Sequence, residues 1–277
     1  FLLLFCLPLK GGESHERHEQ LAFLIHQLQQ EMPEYAAYDI PDDDGQAFQL
    51  YRALCNVRQP GKHVPSPQFL AAEAAVLQGL TREKGITDGR YLPAIPSHEH
   101  LHLWQGDITT LAVDAIVNAA NDQLLGCFRP LHSCIDNMIH TMAGVALRER
   151  CFTIMQAQGH AEATGQAKIT PAYNLPCRYV LHTVGPIVRG ALTQQAQGQL
   201  ASCYRSCLDL AAAKGCQSLA FCCISTGVFG FPKKEAAHIA VTNVSQWLRQ
   251  HEPIEVVFNV FTEEDYRIYN RYLHKGV

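Results

Sequence analysis

Short apolar segments rich in β-branched residues alternate with amphipathic helical segments from Leu101 to the end of the chain. The apolar segments are "LHLW", "AIVNAA", "RYVLHTVG", "SLAFCCIS" and "IEVVFNVF". Most of these apolar segments are separated by stretches whose apolar residues recur at helical spacing. This spacing predicts helices over 134–150, 195–214 and 234–249. Because strands joined through helices pair in parallel, this alternation predicts an α/β fold whose mostly parallel sheet is covered on both faces. Ligands of such folds bind beyond the carboxyl ends of the strands.

The first hundred residues have a different pattern, which is helical. In "ERHEQLAFLIHQLQQEM" the apolar side chains recur at helical spacing, and "GQAFQLYRALCNV" repeats the pattern. A third helix is predicted to begin at Ser66 as N-cap, with Pro67 in its first turn. The proline-broken stretch 87–100 is predicted to be a linker. We therefore divide the chain into an N-terminal helical extension with its linker, 1–97, and a main domain, 98–277.

The net charge, the cysteine content and the hydropathy of the chain indicate which binding partners and which cellular compartment to expect. The net charge of −4 provides no basic field for a nucleic-acid backbone, so we expect no nucleic-acid partner. Eleven scattered cysteines are typical of free thiols in a reducing cytoplasm. The apolar start "FLLLFCLPLK" is too short to span a bilayer and is expected to be a buried first helix or strand. No other stretch reaches membrane-spanning length, so we expect a cytoplasmic protein without a membrane partner.

Two loops that follow predicted strands are suited to holding a ligand. The first ends in Asn118-Ala-Ala-Asn121, where small alanines permit close approach and Asn121 offers a donor and an acceptor. The second, "CISTGVFGFP" at 223–232, has glycines whose neighbouring amides can turn toward a phosphate, and Phe229 at its tip can stack on a sugar. Neither a Walker lysine pattern nor G-x-G-x-x-G is present. On local grounds, both loops could equally be ordinary turns.

The segment "GCFRPLHSCIDN" combines Cys127, His132 and Cys134 in a C-x4-H-x-C arrangement. Thiolate and imidazole are preferred zinc donors, and three protein ligands leave a fourth position open. Cys134 opens a predicted helix, which should lower its thiol pKa. The alternatives are three ordinary loop residues or a redox pair of the two cysteines. His140 is expected to face away from this group.

The motifs "GDIT", "NAAN", "LPCRYVLHTVGP", "ISTGVFGFP" and "NVFTEEDYRIY" occur in one order over about residues 98–274. This series resembles a macrodomain, the module that binds ADP-ribose, and specifically the MacroD-type hydrolase branch. That branch has a run of glycines where this chain has "CFRPLHSC". In this segment the chain resembles a zinc-dependent macrodomain subfamily of microbial pathogens, whose members also carry a helical N-terminal extension.

The resemblance implies a three-layer αβα fold with a mixed, mostly parallel sheet, and it implies roles for individual residues. Asp107, with the Ile108 amide nearby, should contact the adenine amino group, while Asn259 and Phe261 should border the adenosine. Asn121 should touch the distal ribose. The diphosphate should lie on the loop made by Ser225, Thr226, Gly227, Val228, Phe229 and Gly230. Asp136 matches the family's aspartate and either activates water, holds a ligand group or stabilises the helix N-terminus.

These expectations describe a zinc-dependent hydrolase that removes mono-ADP-ribose from modified protein side chains. The first alternative is a reader that binds ADP-ribose without cleaving it, with a structural zinc ion. A further alternative is a hydrolase of small ADP-ribose esters. The resemblance also implies a lipoyl-carrier-like substrate protein modified by a sirtuin-type transferase. The N-terminal helices either dock that substrate or cap the sheet, and we favour capping.

Overall fold

Eight α-helices and nine strands, with three short 3-10 helices between them, follow one another in the computed structural model, which describes residues 11–275. The N-terminal helices are α1 (Gly11–Glu31), α2 (Asp44–Val57) and α3 (Pro67–Lys84). The strands are β1 (Thr87–Asp88), β2 (Ala94–Ile95), β3 (His98–Gln105), β4 (Leu111–Ala112), β5 (Ala115–Ala120), β6 (Ala167–Pro171), β7 (Tyr179–Val184), β8 (Ser218–Phe221) and β9 (Glu255–Val260). The later helices are α4 (Ile135–Ala143), α5 (Val145–Gln158), α6 (Gln194–Ala213), α7 (Lys233–Gln250) and α8 (Glu263–Lys275).

The main sheet has seven strands in the order β2-β3-β9-β8-β5-β7-β6. Its inner strands pair in parallel, and the edge strands β2 and β6 pair antiparallel to their neighbours. The prediction of an α/β fold with a mixed, mostly parallel sheet is confirmed. As a result, β5, β7, β8 and β9 all direct their carboxyl ends toward the same edge of the sheet.

Helices pack on the sheet and on each other, which buries the strands that carry the site. α6, α7 and α8 contact one another in sequence, whereas α4 packs on β5 and also contacts α2. The buried apolar side chains of α1, α2 and α3 belong to the same continuous core as those of the sheet. The extension is therefore joined to the main domain through a shared core. The division at residues 97 and 98 stays a prediction.

Sequence periodicity located most helices correctly. Ser66 caps α3 by accepting the amide of Phe69 at 3.1 Å, with Pro67 at the first helical position, as predicted. The helices predicted at 195–214 and 234–249 correspond to α6 and α7.

The single helix predicted over 134–150 is wrong, because Gly144 separates α4 from α5. Gly144 has φ +90°, and its ideal Cβ would lie 2.5 Å from Oε2 of Glu73. The Glu73 carboxylate instead accepts the amide of Val145, at 3.0 Å, and so satisfies the first turn of α5. The break thus depends on a side chain from α3.

The linker predicted at 87–100 is also wrong in part. Ala94 and Ile95 form strand β2 at the edge of the main sheet, where Ala94 pairs with His102 of β3. The flanking prolines Pro93 and Pro96 are compatible with a short edge strand, because such a strand need not donate on both sides. The expectation for the first ten residues lies outside the described residues. In the part of the chain that the structure describes, no helix has the length and apolar character of a membrane span.

Candidate active site

A cleft of about 650 Å³ opens at the carboxyl ends of β5, β7, β8 and β9. Its walls are the loops that leave these four strands, together with the first turn of α4 and residues near the start of α8. The volume is in the range of sites for small molecules and cofactors. The cleft is therefore the candidate active site.

Most residues predicted to contact a nucleotide-sugar line this cleft. They are Asn121, Ser225, Thr226, Gly227, Val228, Phe229, Asn259 and Phe261, and the three predicted metal ligands and Asp136 line it with them. Val228 is 77% exposed and Phe261 is 48% exposed, so apolar surface is available at the mouth. Gly230 lies behind the loop tip, where it closes a turn by donating to the carbonyl of Gly227 at 3.1 Å.

The predicted adenine-binding residues Asp107 and Ile108 lie outside the residues that line the cleft. Oδ1 of Asp107 accepts the amide and the hydroxyl of Thr109, and Oδ2 lies 3.1 Å from Nζ of Lys84. Ile108 is buried. The neighbouring Gly106 accepts a hydrogen bond from Nδ2 of Asn259 at 2.9 Å, so this turn is tied to the lining of the cleft. The adenine roles of Asp107 and Ile108 stay predictions.

The loop after β8 is held in an unusual backbone conformation. Ser225 has φ +65°, a left-handed conformation that is uncommon outside glycine, and its carbonyl accepts the amide of Phe231 at 2.9 Å. Gly185, which follows β7, also lines the cleft. A Cβ at Gly185 would lie 2.0 Å from Oγ of Ser225, so this close approach requires glycine. Gly185 was missed as a site residue, although the "TVGP" segment contains it.

Asn121 shapes the next loop in addition to facing the cleft. Its Nδ2 donates to the carbonyl of Gly126 at 3.1 Å, and its Oδ1 accepts the amide of Gln123 at 3.1 Å. These bonds connect the end of β5 to the start of the segment that carries Cys127. The side chain predicted to orient a ribose therefore also fixes the position of the cysteine-bearing loop.

The donor atoms of Cys127, His132 and Cys134 all lie within 4.8 Å of one another. Sγ of Cys127 is 3.6 Å from Nδ1 of His132, and all three residues are half-buried. Cys134 is the N-cap of α4, where its Sγ accepts the amide of Asn137 at 3.4 Å. Three such donors facing a cleft could hold a metal ion.

The amide at the start of α4 does lower the pKa of Cys134, but the predicted net lowering is wrong. Burial, with a smaller contribution from the neighbouring Cys127, raises the pKa of the Cys134 thiol to about 12 against the lowering effect of the Asn137 amide. Desolvation of the thiolate therefore outweighs the helix contribution. A metal ion that binds here must displace this proton.

Asp136 lies beside the three donors at the first turn of α4. It is buried, and its Oδ1 accepts a hydrogen bond from Nδ2 of Asn118 at 2.8 Å. Burial raises the pKa of Asp136 to about 6, while the Asn118 bond and the positive Arg148 lower it. The Asn118 bond thus fixes the orientation of this carboxyl group at the cleft.

His140 lies in a second, fully buried group with Cys151 and His182, apart from the three cleft donors. Nδ1 of His182 accepts from Nδ2 of Asn118 at 3.2 Å, and its Nε2 is 3.0 Å from Oγ1 of Thr170. Because both ring nitrogens of His182 have partners, this residue is a satisfied core histidine. Nε2 of His140 is 3.6 Å from Oδ1 of Asp136, one helical turn away.

Comparison with known proteins gives consistent matches. A family model described as Macro domain matches residues 117–240. A protein-ADP-ribose hydrolase of Treponema medium is 52% identical over 256 residues, which cover 91% of this chain and 97% of that protein. A protein-ADP-ribose hydrolase of Staphylococcus aureus is 46% identical and covers 90% of this chain and 93% of its own length. Among solved structures, the Trypanosoma brucei macrodomain in complex with ADP-ribose superposes with a TM-score of 0.59 at 36% identity, covering 67% of this chain and 76% of its own.

Proposed function

This chain belongs to the macrodomain family, and from that premise we propose that it hydrolyses the bond between mono-ADP-ribose and a modified protein side chain. We propose further that Cys127, His132 and Cys134 hold a zinc ion for this reaction. One observation carries the proposal: the three donor atoms lie within 4.8 Å of one another in the cleft that Asn121 and the 225–229 loop also line.

The donor set fits zinc better than other common cations. Two sulfurs and one imidazole suit a borderline-soft ion, whereas magnesium and calcium require oxygen ligands. The half-buried position leaves one side of the group facing the cleft. When bound, zinc supplies Lewis-acid chemistry at the oxygen atoms of the distal ribose and its linkage.

The other residues of the cleft bind and orient the substrate. The left-handed turn at Ser225 presents the 225–229 loop ahead of the N-terminus of α7, whose dipole favours a diphosphate. Asn121 orients the distal ribose. Asp136, whose carboxylate is oriented by Asn118, accepts a proton from water during hydrolysis. Water supplies the hydroxyl group of the released ADP-ribose, and its proton passes to the substrate protein's side chain as that side chain leaves.

The experiment combines metal content with turnover of a mono-ADP-ribosylated protein. We expect one zinc ion per wild-type chain and a loss of both zinc and turnover in Cys127→Ala, His132→Ala and Cys134→Ala. Cys216→Ala, a buried cysteine outside the cleft, is the matched control and should keep both properties. Full turnover by protein without zinc would refute the metal part of the proposal.

The same samples separate the two alternative functions. Chelation should abolish turnover and leave ADP-ribose affinity largely unchanged. The proposed diphosphate loop at 225–229 follows β8, whereas the three proposed zinc ligands follow β5. A protein that binds ADP-ribose and never turns over a modified protein is a reader. Turnover of small ADP-ribose esters without turnover of modified protein indicates an esterase of small substrates.

The identity of the substrate protein rests on the resemblance alone. A lipoyl-carrier-like protein modified by a sirtuin-type transferase stays a prediction, and a panel of modified carrier and non-carrier proteins tests it. Equal rates across the panel would contradict this partner.

A further inference from the structure

The loop that carries the three proposed ligands needs support from outside itself. It has no helix or strand between Gly126 and Cys134. Leu131 within it has φ +55°, a left-handed conformation that is strained for a residue with a side chain. Within the loop, the amide of His132 donates to the carbonyl of Arg129 at 3.3 Å, and Nδ1 of His132 lies 3.6 Å from Sγ of Cys127. These two long contacts do not fix three donor side chains, so further restraints must come from neighbouring elements.

Helices α1, α2 and α3 make up the N-terminal layer, and α2 supplies two of these restraints. Oδ1 of Asn56 accepts the amide of the strained Leu131 at 2.9 Å. Nη2 of Arg52 donates to the carbonyl of His132 at 2.7 Å. Arg52 and Asn56 are buried, at 6% and 2% exposure, so water does not compete for these bonds. The backbone at and beside the proposed histidine ligand is thus set by α2.

Asn137 transmits the same restraint to the cysteine ligand. Its Oδ1 accepts from Nη2 of Arg52 at 2.9 Å, and its Nδ2 donates to Oδ1 of Asn56 at 3.1 Å. Its Nδ2 also donates to the carbonyl of Arg129 at 3.1 Å, and its amide donates to Sγ of Cys134 at 3.4 Å. The fully buried Asn137 therefore connects α2 to Cys134.

A third connection reaches the Cys127 end of the loop. Nη1 of Arg148 donates to carbonyls at the end of α2, those of Cys55 and Asn56, at 2.9 and 2.8 Å. Its Nη2 donates to the carbonyl of Cys127 at 3.3 Å, and its guanidinium lies 4.2 Å from the ring centre of Phe128. Each of the three proposed ligands is therefore linked to α2 by a short chain of hydrogen bonds.

We propose that Arg52 and Asn56 are positioning residues that hold the Cys127–His132–Cys134 loop in its ligand geometry. The N-terminal layer is then a part of the site. The inference rests on the proposed function for the identity of the metal, but the restraint on the loop exists in the chain without metal. The two claims can therefore be tested separately.

The test uses two variants. Arg52→Lys keeps the positive charge and loses the planar guanidinium that donates to both His132 and Asn137. Asn56→Ala removes the acceptor for the Leu131 amide. Arg17→Gln is the matched control, because Arg17 is a buried arginine of the same layer that pairs with Glu83, away from the loop. We measure zinc affinity by competition with a chromophoric chelator, ADP-ribose affinity by calorimetry, and kcat and KM on a modified protein. We also measure amide hydrogen exchange of the metal-free chains and their thermal unfolding.

We expect Arg52→Lys and Asn56→Ala to weaken zinc binding about 10- to 100-fold, as for residues that orient metal ligands. kcat at limiting zinc should fall in parallel. ADP-ribose affinity should change less than about 3-fold, because no residue of α2 is among those that line the cleft. Exchange at Leu131 and His132 should rise. Arg17→Gln should lower the unfolding temperature without these effects.

Unchanged zinc affinity and unchanged exchange at Leu131 in folded Arg52→Lys would overturn the proposal, even if Asn56→Ala fails to fold. If wild-type protein binds no zinc, the metal assignment fails, and hydrogen exchange alone decides whether α2 holds the loop. Raised exchange supports the positioning role in that case, and unchanged exchange rejects it.

Discussion

Replacing Glu73 by glutamine should flatten the dependence of stability on pH. Glu73 is fully buried on α3, where its Oε1 accepts the Tyr51 hydroxyl at 2.5 Å and the Val145 amide at 3.0 Å. Its Oε2 is buried and has no hydrogen-bond partner within residues 11–275, which the structure describes. Burial raises the pKa of this carboxyl group from 4.5 to about 7, against the lowering effects of Tyr51, Val145 and Arg58.

The sign and the size follow from these two pKa values. Between about pH 4.5 and pH 7 the unfolded chain releases this proton while the folded chain keeps it, so stability falls as the pH rises. The interval of about 2.5 pKa units corresponds to about 3 kcal/mol at 1.36 kcal/mol per unit. The loss is complete above about pH 7, and the full stabilisation is present below about pH 4.5.

Urea unfolding of wild type and Glu73→Gln at several pH values from 5 to 8 measures the effect. The free energy of unfolding of the variant, minus that of wild type, should rise with pH by up to about 3 kcal/mol, because glutamine keeps an acceptor for Tyr51 and Val145 and does not ionise. Taking the difference removes the contributions of other titrating groups. Glu34→Gln, at an exposed position, is the control. Parallel stability curves for Glu73→Gln and wild type would refute the reasoning.

Two glycine substitutions give further predictions. Gly185→Ala should displace Ser225, because Oγ of Ser225 would lie 2.0 Å from the new Cβ. ADP-ribose binding, measured by calorimetry, should weaken about 10-fold while the zinc content stays unchanged. Unchanged ADP-ribose affinity would contradict the placement of the diphosphate at this loop. Gly144→Ala should lower the free energy of unfolding by about 3 kcal/mol, because φ is +90° and the new Cβ would meet the Glu73 carboxylate. Gly198→Ala is the control: its Cβ would enter open space beside α6, so this substitution should not destabilise the protein.

The sequence predicted elements whose pattern is local and missed features that depend on distant partners. The periodicities of α6 and α7 are complete within the helices, so their positions were predicted to within a residue or two. The break between α4 and α5 was missed because it requires Glu73, 71 residues before Gly144 in the chain. Strand β2 was missed because two residues have no detectable alternation, and only pairing with β3 defines them.

The candidate site shows the same distinction. The C-x4-H-x-C spacing identified three side chains that the fold brings together, because one short loop carries them all. The direction of the Cys134 pKa shift was predicted wrongly, because the sequence shows the helix start and not the extent of burial. Gly185 was missed because its requirement for glycine arises only where β7 approaches the loop after β8.

The N-terminal layer contacts the ligand loop through α2 and the turn at Asp107 through α3, which bears on how the family is delimited. The Macro domain match at 117–240 contains all three proposed ligands, but it excludes Arg52 and Asn56, which hold their loop. It also excludes Lys84 of α3, whose Nζ lies 3.1 Å from the Asp107 carboxylate at the predicted adenine end. Relatives that match over about nine-tenths of this chain span the same helical region. If the ligand loop depends on α2, a domain boundary drawn at residue 98 or 117 contains every proposed ligand and leaves out the side chains that set their geometry.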